Sequence, residues 1–190
     1  MRRTLILGAA ILAACASGPQ PLDWQLNARQ AMEGFQRLYF AGESRLAETE
    51  FARARSELAR TGRADVVARA ELLRCALRTA SLDFDDCAGF AALRADAGAP
   101  ERAYADYLAG RATRSASDEP LSRLVAAALQ LRAGSITPAG IAGAVDAASA
   151  QGWRRPLLAW LGVQAKRAED AGDAEAAARI RRRMDLVTVR

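Results

Sequence analysis

The sequence predicts an all-α fold, an irregular antiparallel array of about nine helices over residues 22–190. Three observations predict it. From Leu22 onward apolar residues recur every three to four positions, the period of one helical face, and no stretch alternates convincingly as a half-buried strand would. Glycines and prolines fall where these runs stop and start. Alanine and arginine dominate the composition, and both are good helix formers; Lys166 and Asn27 are the single lysine and the single asparagine.

The first helix presents Trp24, Ala28, Met32, Phe35 and Tyr39 on one face, and Gly42 stops it. Ser44 is placed to cap the second helix, which carries Leu46, Ala47, Phe51, Ala54 and Leu58 and ends at Gly62. Asp65 is placed to cap a third, "VVARAELLRCALRTA", whose apolar residues lie on more than one face, as expected of a central helix. Asp83 and Asp85 then open a short helix containing Cys87, Phe90 and Leu93. Four prolines each precede an apolar run, where a missing N–H costs nothing. Pro100 leads into Tyr104, Tyr107 and Leu108, and Pro120 into Leu121, Leu124, Val125, Ala128 and Leu131. Pro138 leads into Ile141, Val145 and Ala148, and Pro156 into Leu158, Leu161, Ala165 and Ala168. Gly172 and Asp173 turn into a last helix with Ala177, Ile180, Met184 and Val187. The polar segment "GRATRSASDE" reads as a loop.

The N-terminus has a different grammar. Arg2 and Arg3 precede an uncharged apolar stretch, Thr4 to Ala14, which is too short to span a bilayer and has the layout of an export signal. The tetrad Leu12-Ala13-Ala14-Cys15 resembles the lipobox of bacterial lipoproteins. The resemblance implies cleavage before Cys15 and acylation of its sulfur and its new amine, which together anchor the chain durably. It also implies, through Ala16 in place of an aspartate, the outer membrane. Without it, the segment is a plain signal peptide with an incidental cysteine. The expected organisation is a signal peptide at 1–14, a lipidated linker at 15–21 and an all-α domain at 22–190. Residues 16–21 reach at most about 20 Å when fully extended, which keeps the folded body near the membrane.

Cys75 and Cys87 remain once Cys15 is set aside. In an exported protein this even remainder reads as a disulfide, with two buried free thiols as the alternative. Loss of residues 1–14 leaves 25 basic against 22 acidic side chains, a net charge of +3, which is no nucleic-acid signature. Residues 151–190 are the uneven part, with nine basic against five acidic side chains. Arg179, Arg182 and Arg183 point away from the apolar face of the last helix. They form either a solvated face or a surface for anionic lipid heads or an acidic partner.

The run from Ala31 to Leu58 resembles a tetratricopeptide repeat. Gly42, Ala47, Phe51 and Ala54 have that family's spacing of glycine, alanine, aromatic and alanine around a helical hairpin, and Leu38 can serve where the family often has tyrosine. Phe35 stands where the family usually has glycine, and the usual proline after the second helix is absent. A second match runs from Leu161 through Gly172 and Ala177 to Met184, with Arg181 in the aromatic position. The resemblance implies close-packed hairpins with Phe51 filling the groove of the first. The two glycines are not a whole number of repeats apart, so an array with irregular members or an irregular bundle is expected.

The chain contains no histidine, which removes the commonest general base and most metal sites. No nucleophile elbow, phosphate-binding glycine loop or Cys-x-x-Cys pair occurs. "GES" at 42–44 resembles the catalytic Glu-Ser of lytic transglycosylases but lacks their downstream signature. "DFDD" at 83–86 clusters carboxylates without the alternating ligands of a calcium loop. No catalytic residue, cofactor or metal is therefore expected. The expected function is non-enzymatic: an outer-membrane-anchored periplasmic lipoprotein that binds or scaffolds another envelope protein. The alternative is a peptidoglycan-active enzyme using a lone carboxylate, Glu43.

Overall fold

A computed structural model describes residues 22–114 and 117–188, so Cys15 and the whole of the lipobox lie outside the described residues. All regular structure among them is helical. The elements are α1 (Asp23–Ala41), α2 (Ser44–Ala59), α3 (Ala64–Ala80), α4 (Ala88–Ala91), α5 (Ala99–Leu108), α6 (Pro120–Arg132), α7 (Pro138–Ala150), α8 (Arg154–Asp170) and α9 (Ala174–Thr188).

Helix ends are made by local chemistry. At the end of α1, Gly42 adopts φ +91 and donates to the Tyr39 carbonyl at 3.1 Å, while Glu43 N–H donates to Leu38 at 2.9 Å. This pair of reversed bonds satisfies carbonyls that the helix leaves free, and glycine supplies the left-handed conformation without a Cβ clash. The α8–α9 turn repeats it at Gly172 (φ +73). At the end of α3 the same bonds form around Leu82, at φ +60, where a leucine carries the backbone cost in exchange for packing on the core. At their starts, α6 and α7 are capped by Glu119, which accepts from Leu121 and Ser122, and by Thr137, which accepts from Gly140.

Two expected caps and one helix start are corrected. Glu43 and Arg63 hold the cap positions of α2 and α3, so Ser44 and Asp65 lie one and two residues inside. The Asp65 carboxylate instead meets Arg63 in a bidentate pair at 2.8 and 3.2 Å. Cys87 immediately precedes α4, at φ +50, and is not part of it. Asp85 accepts the Cys87 N–H at 3.1 Å, and Asp83 turns back to Arg78 at 3.1 Å. A side-chain acceptor for the Cys87 N–H competes with an earlier helix start.

Consecutive helices pack as hairpins from α1 to α3 and from α6 to α9, with α5 and α6 both lying against α3. Ten of the seventeen α3 residues are buried, as its two-faced apolar pattern predicts. Ala70 and Leu77 face a cluster with Phe35, Tyr39, Phe40, Ala47 and Phe51. Ala68, Leu72, Cys75, Ala76 and Ala80 face a larger one that extends through α5, α6, α7 and α8. α8 returns to α1, which closes the array. Trp160 on α8 is fully buried, and its indole N–H donates to the Ala80 carbonyl at 3.1 Å. That carbonyl sits in the last turn of α3, where the helix offers it no partner.

Two faces differ from their expected register. Leu46 is exposed, leaving Ala47, Phe51 and Ala54 to face α1. On α8 the inward residues are Leu157, Trp160, Leu161 and Ala165; Leu158 and Ala168 are only partly buried. Among the described residues one charged group is interior: Glu71 is 5% exposed and accepts from Arg55 at 2.9 Å. Gly89 approaches so closely that a Cβ there would lie 2.1 Å from the Glu71 Oε2.

Candidate functional site

The loop between α3 and α4 gathers the reactive groups that the sequence singles out. Cys75 and Cys87 are joined in a disulfide, with Cα atoms 5.7 Å apart. Asp85 lies close by: one of its oxygens and the two sulfurs fall within 4.8 Å of one another. The sulfurs are consumed by their mutual bond, so the trio presents no thiolates to a cation. Arg78 spans the acidic loop, pairing with Asp83 at 3.1 Å and Asp85 at 2.8 Å. Two of the three "DFDD" carboxylates, Asp83 and Asp85, are thus bound into the fold by an arginine on the preceding helix.

A cavity of about 380 Å³ opens beside this disulfide, lined by Asp86, Cys87, Phe90, Arg94, Arg111 and Arg132 among others. Arg94 and Arg111 both hold Asp106, at 3.0 and 2.7 Å. Hydrogen bonds from Arg111 and then Arg94 keep its carboxyl below the usual carboxylate range. Arg132 donates to the Leu108 carbonyl at 2.8 Å and lies 5.2 Å from the centre of the Phe84 ring.

A second cavity, of about 280 Å³, lies between α3, α5 and α6 and is largely apolar. Leu72, Leu73, Ala76, Pro100, Tyr104 and Leu121 line it, and Arg69 pairs with Glu101 at 2.7 Å across its rim. Burial pushes the Tyr104 hydroxyl up to about 12. A shallow apolar recess bounded by one ion pair can accept an apolar side chain and orient the backbone that carries it.

The remaining sequence candidates are dispersed. Ser44 accepts from Arg155 at 2.5 Å, so its hydroxyl ties α2 to α8. Glu43 is half-buried at the start of α2. Arg179, Arg182 and Arg183 are all exposed on α9. Arg179 pairs with Glu175 at 2.5 Å, and no ion pair involves Arg182 or Arg183 among the described residues. Arg181, in the aromatic position of the second repeat-like match, is also exposed and pairs with Glu169. Phe51, its counterpart in the first match, is buried 5.0 Å from the Phe35 ring.

Arg155 is the structurally prominent residue that sequence reasoning passed over. Its neighbour Pro156 marks a helix start, but nothing in the local pattern distinguishes it from Arg154. No helix among the described residues is long and apolar enough to cross a membrane. Comparison with protein families, with curated proteins and with solved structures returned no match.

Proposed function

We propose that the chain is a lipid-anchored protein of the bacterial envelope, attached to the periplasmic face of the outer membrane through Cys15. Its all-α body serves there as a binding or scaffolding module for another envelope protein. The lipobox-like tetrad supports the anchor. The observation that carries the binding role is the apolar recess between α3, α5 and α6, where Leu72, Leu73, Pro100, Tyr104 and Leu121 surround about 280 Å³ of open space. Recognition is non-covalent: an apolar side chain fills the recess, and the Arg69–Glu101 pair at its rim orients the ligand's polar atoms.

Site-specific photocrosslinking in intact cells tests this reading. A photoreactive residue at Leu73 should yield one discrete adduct, which Leu121→Arg abolishes and which the same probe at exposed Leu46 does not form. No adduct at Leu73, or an identical pattern at Leu46, contradicts the reading. Hydrolysis of purified peptidoglycan by the protein, lost in Glu43→Gln, would replace it with the enzymatic alternative.

A further inference from the structure

The geometry points to a second membrane contact: the outer face of α9 docks on a bilayer that contains anionic phospholipid. This inference rests on the lipid-anchor reading for its proximity argument and adds a site to it. Ala177, Ile180, Met184 and Val187 turn one side of α9 onto the core. Positions 179, 182, 183 and 186 follow the spacing that places them together on the opposite side. That side carries three arginines, of which Arg179 is paired with Glu175, and Leu186, which is 78% exposed, more than any other large exposed hydrophobic residue in the described chain.

Its chemistry suits a lipid surface better than water alone. Arg182 and Arg183 have no carboxylate partner among the described residues, so their full charge is directed outward. A guanidinium matches a phosphate diester with two parallel N–H donors, and its aliphatic stem lies along the headgroup boundary while the charge stays hydrated. Leu186 sits one turn beyond Arg182, and an exposed apolar side chain beside basic ones can enter the acyl boundary. A linker that reaches no more than about 20 Å holds Leu22, where the folded body begins, near the headgroups to which Cys15 is attached.

The test uses the protein as cells make it, with Leu186→Cys carrying an environment-sensitive fluorophore, floated with vesicles. Phosphatidylcholine vesicles containing phosphatidylglycerol should shift the dye to an apolar environment, and phosphatidylcholine alone should not. Near an anionic surface each basic residue contributes on the order of fivefold to docking, so Arg182→Gln with Arg183→Gln should weaken it about thirtyfold. Arg45→Gln with Arg123→Gln removes the same charge from exposed positions elsewhere and should leave the shift intact. A chain that co-floats while its dye stays aqueous overturns this inference and leaves the anchor standing. Equal loss in the two double variants overturns it in favour of a bulk charge effect. A dye shift that requires added envelope protein overturns it in favour of an acidic protein partner. Failure to co-float with either vesicle overturns both the face and the anchor.

Discussion

Arg155, in the first turn of α8, donates from Nε to the Tyr39 carbonyl at 2.7 Å and lies 4.3 Å from the centre of that residue's ring, across a separation of 116 positions. Its Nη2 donates to the Ser44 hydroxyl, so a single guanidinium joins the end of α1, the start of α2 and the start of α8. Stacking of Phe40 on Trp153, with centroids 4.5 Å apart, reinforces the same junction. This contact is where the array closes on itself.

Arg155→Ala should therefore destabilise the fold by about 2–3 kcal/mol, combining a lost charged hydrogen bond with a lost cation–π contact. Arg155→Lys should restore only part of this, because an ammonium cannot donate in two fixed directions while stacking on a ring. Urea titrations of the three proteins measure it. Full recovery with lysine would mean that charge alone, without the planar fork, holds the junction.

The two repeat-like hairpins should respond oppositely. Phe51 fills the space between α1 and α2, and Phe51→Ala should cost about 3–5 kcal/mol. Arg181 makes only a surface pair with Glu169, so Arg181→Ala should change stability by no more than about 0.5 kcal/mol. Denaturant melts settle the contrast. Comparable losses would show that α9 is held by its arginine as firmly as α2 is by its phenylalanine.

Reduction of the Cys75–Cys87 bond, whose partners are 12 residues apart, should remove about 3 kcal/mol, the chain-entropy value for a loop of this size. The denaturation midpoint with and without a reductant, on protein confirmed by mass to carry the bond, gives the number. Two free thiols in the non-reduced protein would contradict the structure at this point.

Stability should be nearly level across neutral pH, since the chain has no histidine, and then fall steeply in alkali. Burial pushes Tyr39 up to about 12, and Tyr104 up to about 12, from an ordinary 10. The folded state holds these protons more tightly than the unfolded chain. Their contribution is present below pH 10 and is lost as pH rises toward 12, by roughly 2 kcal/mol for Tyr39. Denaturation midpoints at pH 8, 10 and 12 trace it. A shallower fall in Tyr39→Phe than in the parent assigns that share of the loss to the Tyr39 hydroxyl, with the remainder left to Tyr104.

What the sequence made legible was whatever a local rule controls. Glycines 42 and 172 end their helices as expected because no other residue takes φ above +70 so easily. The central position of α3 followed from its two apolar faces. The caps were misplaced because each side chain has a competing partner: Arg155, 111 residues away, for the Ser44 hydroxyl, and Arg63, two residues away, for the Asp65 carboxylate. Interior Glu71 was invisible because its burial depends on Arg55 and on a glycine at position 89. The candidate site was less legible than the fold. The recess between α3, α5 and α6 is built from residues that read individually as core, and only their packing leaves the space open.

The lipid anchor is the central claim, and it is tested most directly at Cys15. Intact mass spectrometry of the protein recovered from membranes of its host should show an N-terminus at Cys15 bearing acyl chains. The Cys15→Ser protein should lose that mass shift and leave the membrane fraction after a high-salt wash. An unacylated N-terminus, or a serine variant that still sediments with membranes after the wash, contradicts the account.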